Sequence, residues 1–168
     1  MSRTAHLDTA FSPNSVAVIG VGPITAGRFY VESLLAAGFK GSIYPIHPNG
    51  GEISGLGIHR NLRDVAGPVD LVISCIPARF VPELIRECAE KRVKVVSMFT
   101  SGFSETGSET GRHLEAETVR IAHGAGRTAG DEKNRGLVDL DAVLFSDFHQ
   151  FGRDIVNRQA PEVIPLAP

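Results

Sequence analysis

The stretch SVAVIGVGPITAGRF, residues 15–29, runs from a short apolar segment through three glycines into a helical pattern. A glycine-rich turn between a buried strand and a helix exposes backbone N–H groups at the helix N-terminus, where they bind phosphate. The stretch therefore predicts a strand, a loop and a helix that together hold a phosphorylated ligand. A nicotinamide or flavin dinucleotide, a mononucleotide and coenzyme A are all candidates on this pattern alone.

The composition is that of one globular domain. The chain has 168 residues, 42% of them hydrophobic, and a net charge of -2. Such a chain is long enough to bury a core, and its charge gives no reason to expect a nucleic acid or a membrane as partner. No apolar run approaches the ~20 residues of a membrane helix, and the N-terminus has no signal-peptide pattern. We therefore expect a cytoplasmic protein.

Strand-like and helix-like segments alternate along the first three quarters of the chain. The predicted strands lie within 15–20, 41–48, 69–77 and 93–102. The predicted helices lie within 26–38, 59–67, 79–92 and 108–124. Units of this kind predict an α/β fold, a Rossmann-like doubly wound parallel sheet with helices on both faces.

The tail differs from this alternating part. Residues 125–136 are polar and rich in glycine, and apolar residues then recur at helical spacing. This stripe predicts an extra C-terminal helix at 137–158, which either packs on the sheet or binds a partner, and it consists of Leu140, Leu144, Phe148, Phe151 and Ile155. We therefore expect a Rossmann-like domain at 1–124 and a divergent tail at 125–168.

Ligands of doubly wound sheets bind at the carboxyl ends of the strands. The first loop there opens like the dinucleotide fingerprint G-x-G-x-x-G, but Thr25 occupies the third glycine position and the next glycine is Gly27. The second strand ends in IHPNGG, and Glu52 is the first carboxylate after it. The acidic residue that bonds the ribose of NAD is therefore missing, although His47 or Arg60 would tolerate the 2′-phosphate of NADP.

Several motifs together resemble a known family. They are the opening FSPNSVAVIG, the strand end HPNGGEISGL, the strand VDLVISCIPARF and the turn SGF. In these motifs the chain, from about Leu7 to about Gly124, resembles the N-terminal coenzyme A-binding domain of NDP-forming acyl-CoA synthetases. That group includes ADP-forming acetate–CoA ligase and the succinyl-CoA synthetase alpha subunit.

The resemblance implies coenzyme A, or an acyl-CoA, as the ligand. The loop 20–27 would hold the CoA phosphates, and 48–50 would lie beside the ribose phosphate and adenine. The segment 76–80 would flank adenine and the pantetheine arm, and 100–102 would lie near the thiol. No catalytic residue and no metal ligand is predicted. The predicted CoA-binding residues are Gly20, Val21, Gly22, Thr25, Gly27, Arg28, His47, Pro48, Asn49, Ile76, Pro77, Ala78, Phe80, Thr100, Ser101 and Gly102.

Two departures from the family bear on function. The stretch PITAG and Asn49 stand where relatives often carry a basic residue, and fewer cations imply weaker phosphate binding. The family also continues beyond Gly124 into a second domain with a phosphorylated histidine, which residues 126–168 do not match. The resemblance therefore implies at most a CoA-binding part or subunit of a ligase. It would need a partner subunit with phosphohistidine and ATP-grasp domains.

Two other interpretations stay open. An NADP-binding oxidoreductase or redox sensor fits the glycine loop, although no catalytic Lys, Tyr or His pair is evident. A non-catalytic interaction protein with an empty Rossmann-like core fits the short loop and the unrelated tail. We expect His47 to be a polar turn residue, and Cys75 and Cys88 to be buried and unreactive. A side chain at Gly20 is expected to block phosphate while leaving the domain folded.

Overall fold

The computed structural model of the protein describes residues 11–125. Within this range the strands are β1 (Ser15–Ile19), β2 (Ser42–Ile46), β3 (Gly51–Ile53), β4 (Leu56–Ile58), β5 (Leu71–Ser74) and β6 (Val95–Met98). The helices are α1 (Ala26–Ala36), α2 (Val81–Glu90) and α3 (Glu109–Ala125). The predicted helix at 137–158 lies outside the described residues. None of the described helices is long and apolar enough to cross a membrane.

The central sheet is parallel and has the strand order β2-β1-β5-β6. Residues Val16, Ala17 and Val18 of β1 are fully buried, as expected of a strand covered on both faces. Pro45 lacks a backbone N–H, which suits β2 to the edge of the sheet. Because the four strands run in one direction, their carboxyl ends meet along one edge.

Helices cover both faces of this sheet, so the predicted Rossmann-like doubly wound fold is confirmed. On one face, Val31 and Leu34 of α1 pack against Val16 and Val18. On the other face, buried side chains of α2 and α3 pack around β5 and β6. They include Val81, Leu84, Ile85, Cys88 and Ala122.

The buried face of α1 does not contain all of its apolar side chains. Phe29 is 46% exposed and Leu35 is 38% exposed. The buried face contains Tyr30 and Val31 instead. The reason is the close packing of Gly27 described below, which turns residues three, four and seven positions further on toward the sheet.

The segment after β2 also differs from its prediction. Strands β3 and β4 form an antiparallel hairpin that the sequence analysis missed. Its two turn residues, Ser54 and Gly55, both have positive φ (49° and 82°), as a type I′ turn requires. The predicted helix at 59–67 is only a three-residue 3-10 turn at Leu62–Asp64, and the Asn61 side chain caps it by accepting a hydrogen bond from the Asp64 N–H at 3.0 Å.

A buried carboxylate ties together the amino ends of three strands. Asp70, just before β5, accepts hydrogen bonds from the Asn14 N–H (2.8 Å) and from Lys94 Nζ (2.7 Å). Its own N–H donates to Ser15 Oγ at 3.0 Å. Burial alone would raise the pKa of Asp70, but these donors and the Lys94 charge outweigh burial and hold the pKa below its usual range.

We predict that Asp70→Asn destabilises the fold by about 1–3 kcal/mol near neutral pH, because two donors lose a charged acceptor. The folded-state pKa of Asp70 is lowered, so its stabilisation is complete above the unfolded pKa of about 3.9 and is lost as pH falls through the folded pKa. Urea denaturation should therefore show the largest difference from wild type at pH 7 and a shrinking difference toward pH 3.

The control for this prediction is Asp64→Asn, which removes an exposed carboxylate. It should leave the free energy of unfolding nearly unchanged at both pH values. A loss of stability in Asp70→Asn that stayed constant between pH 7 and pH 3 would contradict the charged role of Asp70.

Candidate functional site

A cavity of about 550 Å³ opens at the carboxyl edge of the sheet. This volume falls within the range of about 300–1,000 Å³ that is typical of small-molecule sites. The ends of β1, β2 and β5, the segment after β4 and one side of α2 form its walls. The lining residues are Ile19, Gly20, Thr25, Ile46, His47, Pro48, Arg60, Asn61, Leu62, Cys75, Ile76, Pro77, Phe80, Glu83, Leu84 and Glu87.

Residues from three of the four predicted loops line the cavity: those that follow β1, β2 and β5. Seven predicted residues line it: Gly20, Thr25, His47, Pro48, Ile76, Pro77 and Phe80. The other predicted residues lie behind this lining or beyond it. They are Val21, Gly22, Gly27, Arg28, Asn49, Ala78, Thr100, Ser101 and Gly102.

Two glycines of the first loop are required by close backbone contacts. A Cβ on Gly27 would lie 2.7 Å from the Gly20 carbonyl oxygen, so the first turn of α1 rests directly on the end of β1. A Cβ on Gly20 would lie 2.5 Å from the Cys75 carbonyl oxygen, and Gly20 has a φ of +92°. In the dinucleotide fingerprint, the third glycine allows the helix to pack closely on the strand. Gly27 has this role here, two positions after Thr25, where the motif would place the glycine.

These contacts correct the expectation for Gly20. A side chain there would collide with the end of β5 before it reached a ligand, and the backbone conformation is one that L residues rarely adopt. Substitution of Gly20 is therefore expected to disrupt the fold rather than to leave a folded domain.

The N–H groups of the first loop are mostly bonded within the protein. Gly20 and Val21 both donate to the Ile46 carbonyl, at 2.9 and 3.1 Å. Gly22 donates to Thr25 Oγ1 at 2.9 Å. The expectation that these three N–H groups hold phosphate is not supported by this geometry.

The donors available to a phosphate lie in the first turn of α1. Thr25 is the N-cap, and its hydroxyl oxygen accepts from the Arg28 N–H at 3.3 Å. Ala26 and Gly27 occupy the first two helical positions, whose N–H groups have no acceptor within a helix. They adjoin the cavity through Thr25, which lines it. The Arg28 guanidinium forms an ion pair with Glu32 at 2.8 Å, so its charge is already paired and is not directed to a phosphate in the loop.

His47 both builds a turn and faces the cavity. Its carbonyl accepts from the Gly50 N–H at 2.9 Å, and its Nδ1 lies 3.2 Å from the Asn49 N–H. Its Nε2 lies 3.9 Å from the position of a Cβ on Gly22, so the ring points toward the first loop. The predicted turn role is confirmed, and the position also allows a contact with ligand.

The fourth predicted loop lies beside the third but does not line the cavity. Thr100 Oγ1 is 3.5 Å from Ser74 Oγ, and a Cβ on Gly102 would be 3.2 Å from the Ala78 Cβ. The Gly102 N–H donates to Glu105 Oε1 at 2.6 Å, which lowers the pKa of this exposed carboxyl. None of these contacts tests the predicted position of residues 100–102 near the CoA thiol, which stays a prediction.

Sequence reasoning missed one wall of the cavity. Glu83 and Glu87 project from α2, and Arg63 pairs with them at 3.8 and 3.1 Å. Burial raises the pKa of Glu87, although the Arg63 charge opposes this. The i, i+4 spacing of the two glutamates directly after the third loop is a signal that places both on this wall. Asn61 follows the missed hairpin, and no comparable signal identified it. Arg60 was named from the sequence, but only as a residue that would tolerate the 2′-phosphate of NADP.

The two cysteines differ from each other. Cys88 is fully buried on α2, as predicted. Cys75 is only partly buried and lines the cavity, so the prediction of a buried residue is wrong there. Burial nevertheless raises the pKa of the Cys75 thiol to about 12. A thiol of this kind stays protonated at neutral pH and is not a nucleophile.

The fold is that of a Rossmann-like α/β domain with a cavity at the carboxyl edge of its parallel sheet. Residues 14–132 match the family described as CoA binding domain. The chain belongs to this family of CoA-binding domains, and it is homologous to the N-terminal part of ADP-forming acyl-CoA synthetases. These findings confirm the resemblance seen in the sequence.

Two curated relatives illustrate the match. One is acetate–CoA ligase [ADP-forming] I subunit alpha of Pyrococcus furiosus, 37% identical over 148 residues, which are 84% of this chain and 32% of that protein. Another is acetate–CoA ligase [ADP-forming] II of Archaeoglobus fulgidus, 35% identical over 140 residues, 82% of this chain and 21% of that protein. The chain thus spans a third or less of these relatives' length.

A solved structure agrees with the sequence matches. Acetyl-coenzyme A synthetase 1 of Ca. Korarchaeum cryptofilum superposes with a TM-score of 0.66 and 37% identity. The match covers 71% of this chain and 26% of that protein. The two proteins therefore share the Rossmann-like fold over the matched part.

We predict that Gly27→Ala destabilises the domain by about 1–3 kcal/mol, because the new methyl group would press on the Gly20 carbonyl. Alanine is the better helix former, so helix propensity alone predicts the opposite sign. The matched control is Gly57→Ala, where a Cβ would meet none of the described atoms within 4 Å. Urea denaturation of both variants measures the effect. A Gly27→Ala protein as stable as wild type would disprove the close contact.

Proposed function

We propose that the chain binds coenzyme A or an acyl-CoA in the cavity at the carboxyl edge of the sheet. The observation that carries this proposal is the coincidence of that cavity with the glycine loop in a chain whose residues 14–132 match a CoA-binding family. The diphosphate would face the N–H groups of Ala26 and Gly27, because a helix N-terminus favours anions.

Phe80 is our candidate for the adenine contact. Phe80 lines the cavity and is 51% exposed, so part of its side chain is accessible to a planar base. The Arg79 guanidinium lies 4.5 Å from the ring centroid, at the distance of a cation–π contact. Pro77, in the segment between β5 and Phe80, adds an apolar surface to this side of the cavity.

The alternatives are less well supported. The turn after β2 offers Pro48 and Asn49 where an NAD site has a carboxylate. Cys75 has a raised pKa, which does not suit a redox sensor. An interaction protein with an empty core does not account for a cavity of about 550 Å³ at the ligand edge of the sheet.

Calorimetric titration at low salt tests the proposal, with CoA, acetyl-CoA, NADP and NAD compared side by side. We expect saturable CoA binding with a Kd near or below about 100 μM, equivalent to about -5.5 kcal/mol. We expect Phe80→Ala to weaken CoA binding at least about fivefold, because stacking on a base contributes about 1–3 kcal/mol.

The control is Leu35→Ala, which removes a partly exposed apolar side chain at the far end of α1. It should leave CoA affinity unchanged. The proposal fails if none of the CoA compounds binds, or if NADP binds and CoA does not. Equal CoA affinity of Phe80→Ala and wild type would remove Phe80 from the site.

We further propose that the chain acts in the cytoplasm with a partner subunit. The support is its similarity to a protein named as an alpha subunit and its coverage of only 32% of that subunit. The partner would supply the phosphohistidine and ATP-grasp domains that acyl-CoA formation needs.

This proposal predicts that the purified 168-residue chain forms no acyl-CoA from a carboxylic acid, CoA and a nucleoside triphosphate. The measurement is a thioester assay with acetate, CoA and ATP, run in parallel with a complete ADP-forming ligase as the positive control. Turnover by the chain alone, above the level of a mock purification, would show that the partner domains are not required.

A further inference from the structure

One arginine of the cavity is distinguished by its position. Arg60 is exposed, and it is the only Lys or Arg that lines the cavity in the part of the chain that the structure describes. The other side chains of the lining are apolar, neutral or acidic. Arg60 is therefore the residue of this lining that offers a ligand phosphate monoester a guanidinium group.

The β3–β4 hairpin brings Arg60 to the end of β2. The His47 N–H donates to the His59 carbonyl, and the His59 N–H donates to the Pro45 carbonyl, each at 2.9 Å. These bonds hold residue 60 beside the turn that follows β2. The Cγ and Nε atoms of Arg60 each lie 3.7 Å from the position of a Cβ on Gly50. The arginine side chain therefore runs along this turn.

No residue between 11 and 122 neutralises the charge of Arg60. Arg60 forms no ion pair with any residue in this range, whereas Arg28, Arg63 and Arg86 each pair with a glutamate. Glu83 and Glu87, which also line the cavity, pair with Arg63 and not with Arg60. Because Arg63 also pairs with Glu90, the α2 wall keeps a net negative charge, and Arg60 is the arginine of the lining that can attract an anion.

In doubly wound folds the ribose of a bound nucleotide lies at the end of the second strand, and an arginine there accommodates a phosphate on the ribose. We propose that Arg60 binds the 3′-phosphate of the CoA ribose and so selects CoA over 3′-dephospho-CoA. The inference rests on the proposed CoA binding and assigns the phosphate of the ribose to one side chain. Asn49, in the turn after β2, is neutral. Arg60, which lies beside this turn, supplies the positive charge that Asn49 does not.

Calorimetry with two ligands and three proteins tests this proposal. The ligands are CoA and 3′-dephospho-CoA, and the proteins are wild type, Arg60→Gln and Arg120→Gln. Arg120 is an exposed arginine of α3 outside the cavity lining, so its variant makes the same charge change elsewhere. Thermal unfolding of each variant checks that the fold is intact, which we expect because Arg60 is exposed.

We expect wild type to bind CoA at least about tenfold more tightly than 3′-dephospho-CoA, as a charge-assisted contact predicts. Arg60→Gln should lose this preference by weakening CoA about tenfold while leaving 3′-dephospho-CoA unchanged. Arg120→Gln should behave as wild type with both ligands. The CoA affinity of wild type should also fall more steeply with salt than that of Arg60→Gln.

The outcomes separate this proposal from the proposed function. If wild type binds CoA and Arg60→Gln binds it equally well, or weakens both ligands equally, the assignment of the 3′-phosphate is wrong while CoA binding stands. If wild type binds neither ligand, the proposed function fails and the assignment fails with it. NADP binding that depends on Arg60, without CoA binding, would overturn both.

Discussion

The contact between Gly27 and Gly20 is the constraint on which the rest of the site depends. It brings the first turn of α1 onto the end of β1, with a hypothetical Cβ only 2.7 Å from a carbonyl oxygen. The helix can approach so closely only if it is rotated to direct Tyr30, Val31 and Leu34 at the sheet. The same approach sets the helix N-terminus at the carboxyl edge, beside the cavity.

This compact loop has a consequence for phosphate recognition. Hydrogen bonds to Ile46 and Thr25 occupy the N–H groups of Gly20, Val21 and Gly22, and they stabilise the loop instead of a ligand. In the proposed site, the phosphates of CoA therefore contact the first turn of α1 and Arg60, which follows the β3–β4 hairpin. Recognition of the phosphates is then shared between two elements instead of resting on one basic loop.

The sequence predicted the sheet well because its central strands, β1 and β5, are continuous apolar runs that only a buried parallel strand explains. The apolar residues of α1 do not by themselves fix its buried face: Phe29 and Leu35 are exposed, because the packing of Gly27 sets the helix rotation. The prediction from the sequence failed at the segment after β2. The hairpin at 51–58 is short and glycine-rich, although Ser54-Gly55 between isoleucine and leucine is a turn signal. Without the hairpin, the sequence named Arg60 only as a residue that would tolerate the phosphate of NADP, and it did not predict that Arg60 and Asn61 line the cavity.

The most direct test of the account is an amide NMR titration of the ¹⁵N-labelled chain with CoA, since it reports both binding and its location. We predict saturable shift changes at Ala26 and Gly27, at the turn 47–50 and around Phe80, with α3 unaffected over 109–122. This pattern would establish CoA at the carboxyl edge of the sheet. The absence of any saturable change, or changes confined to α3, would contradict the assignment of the cavity to CoA.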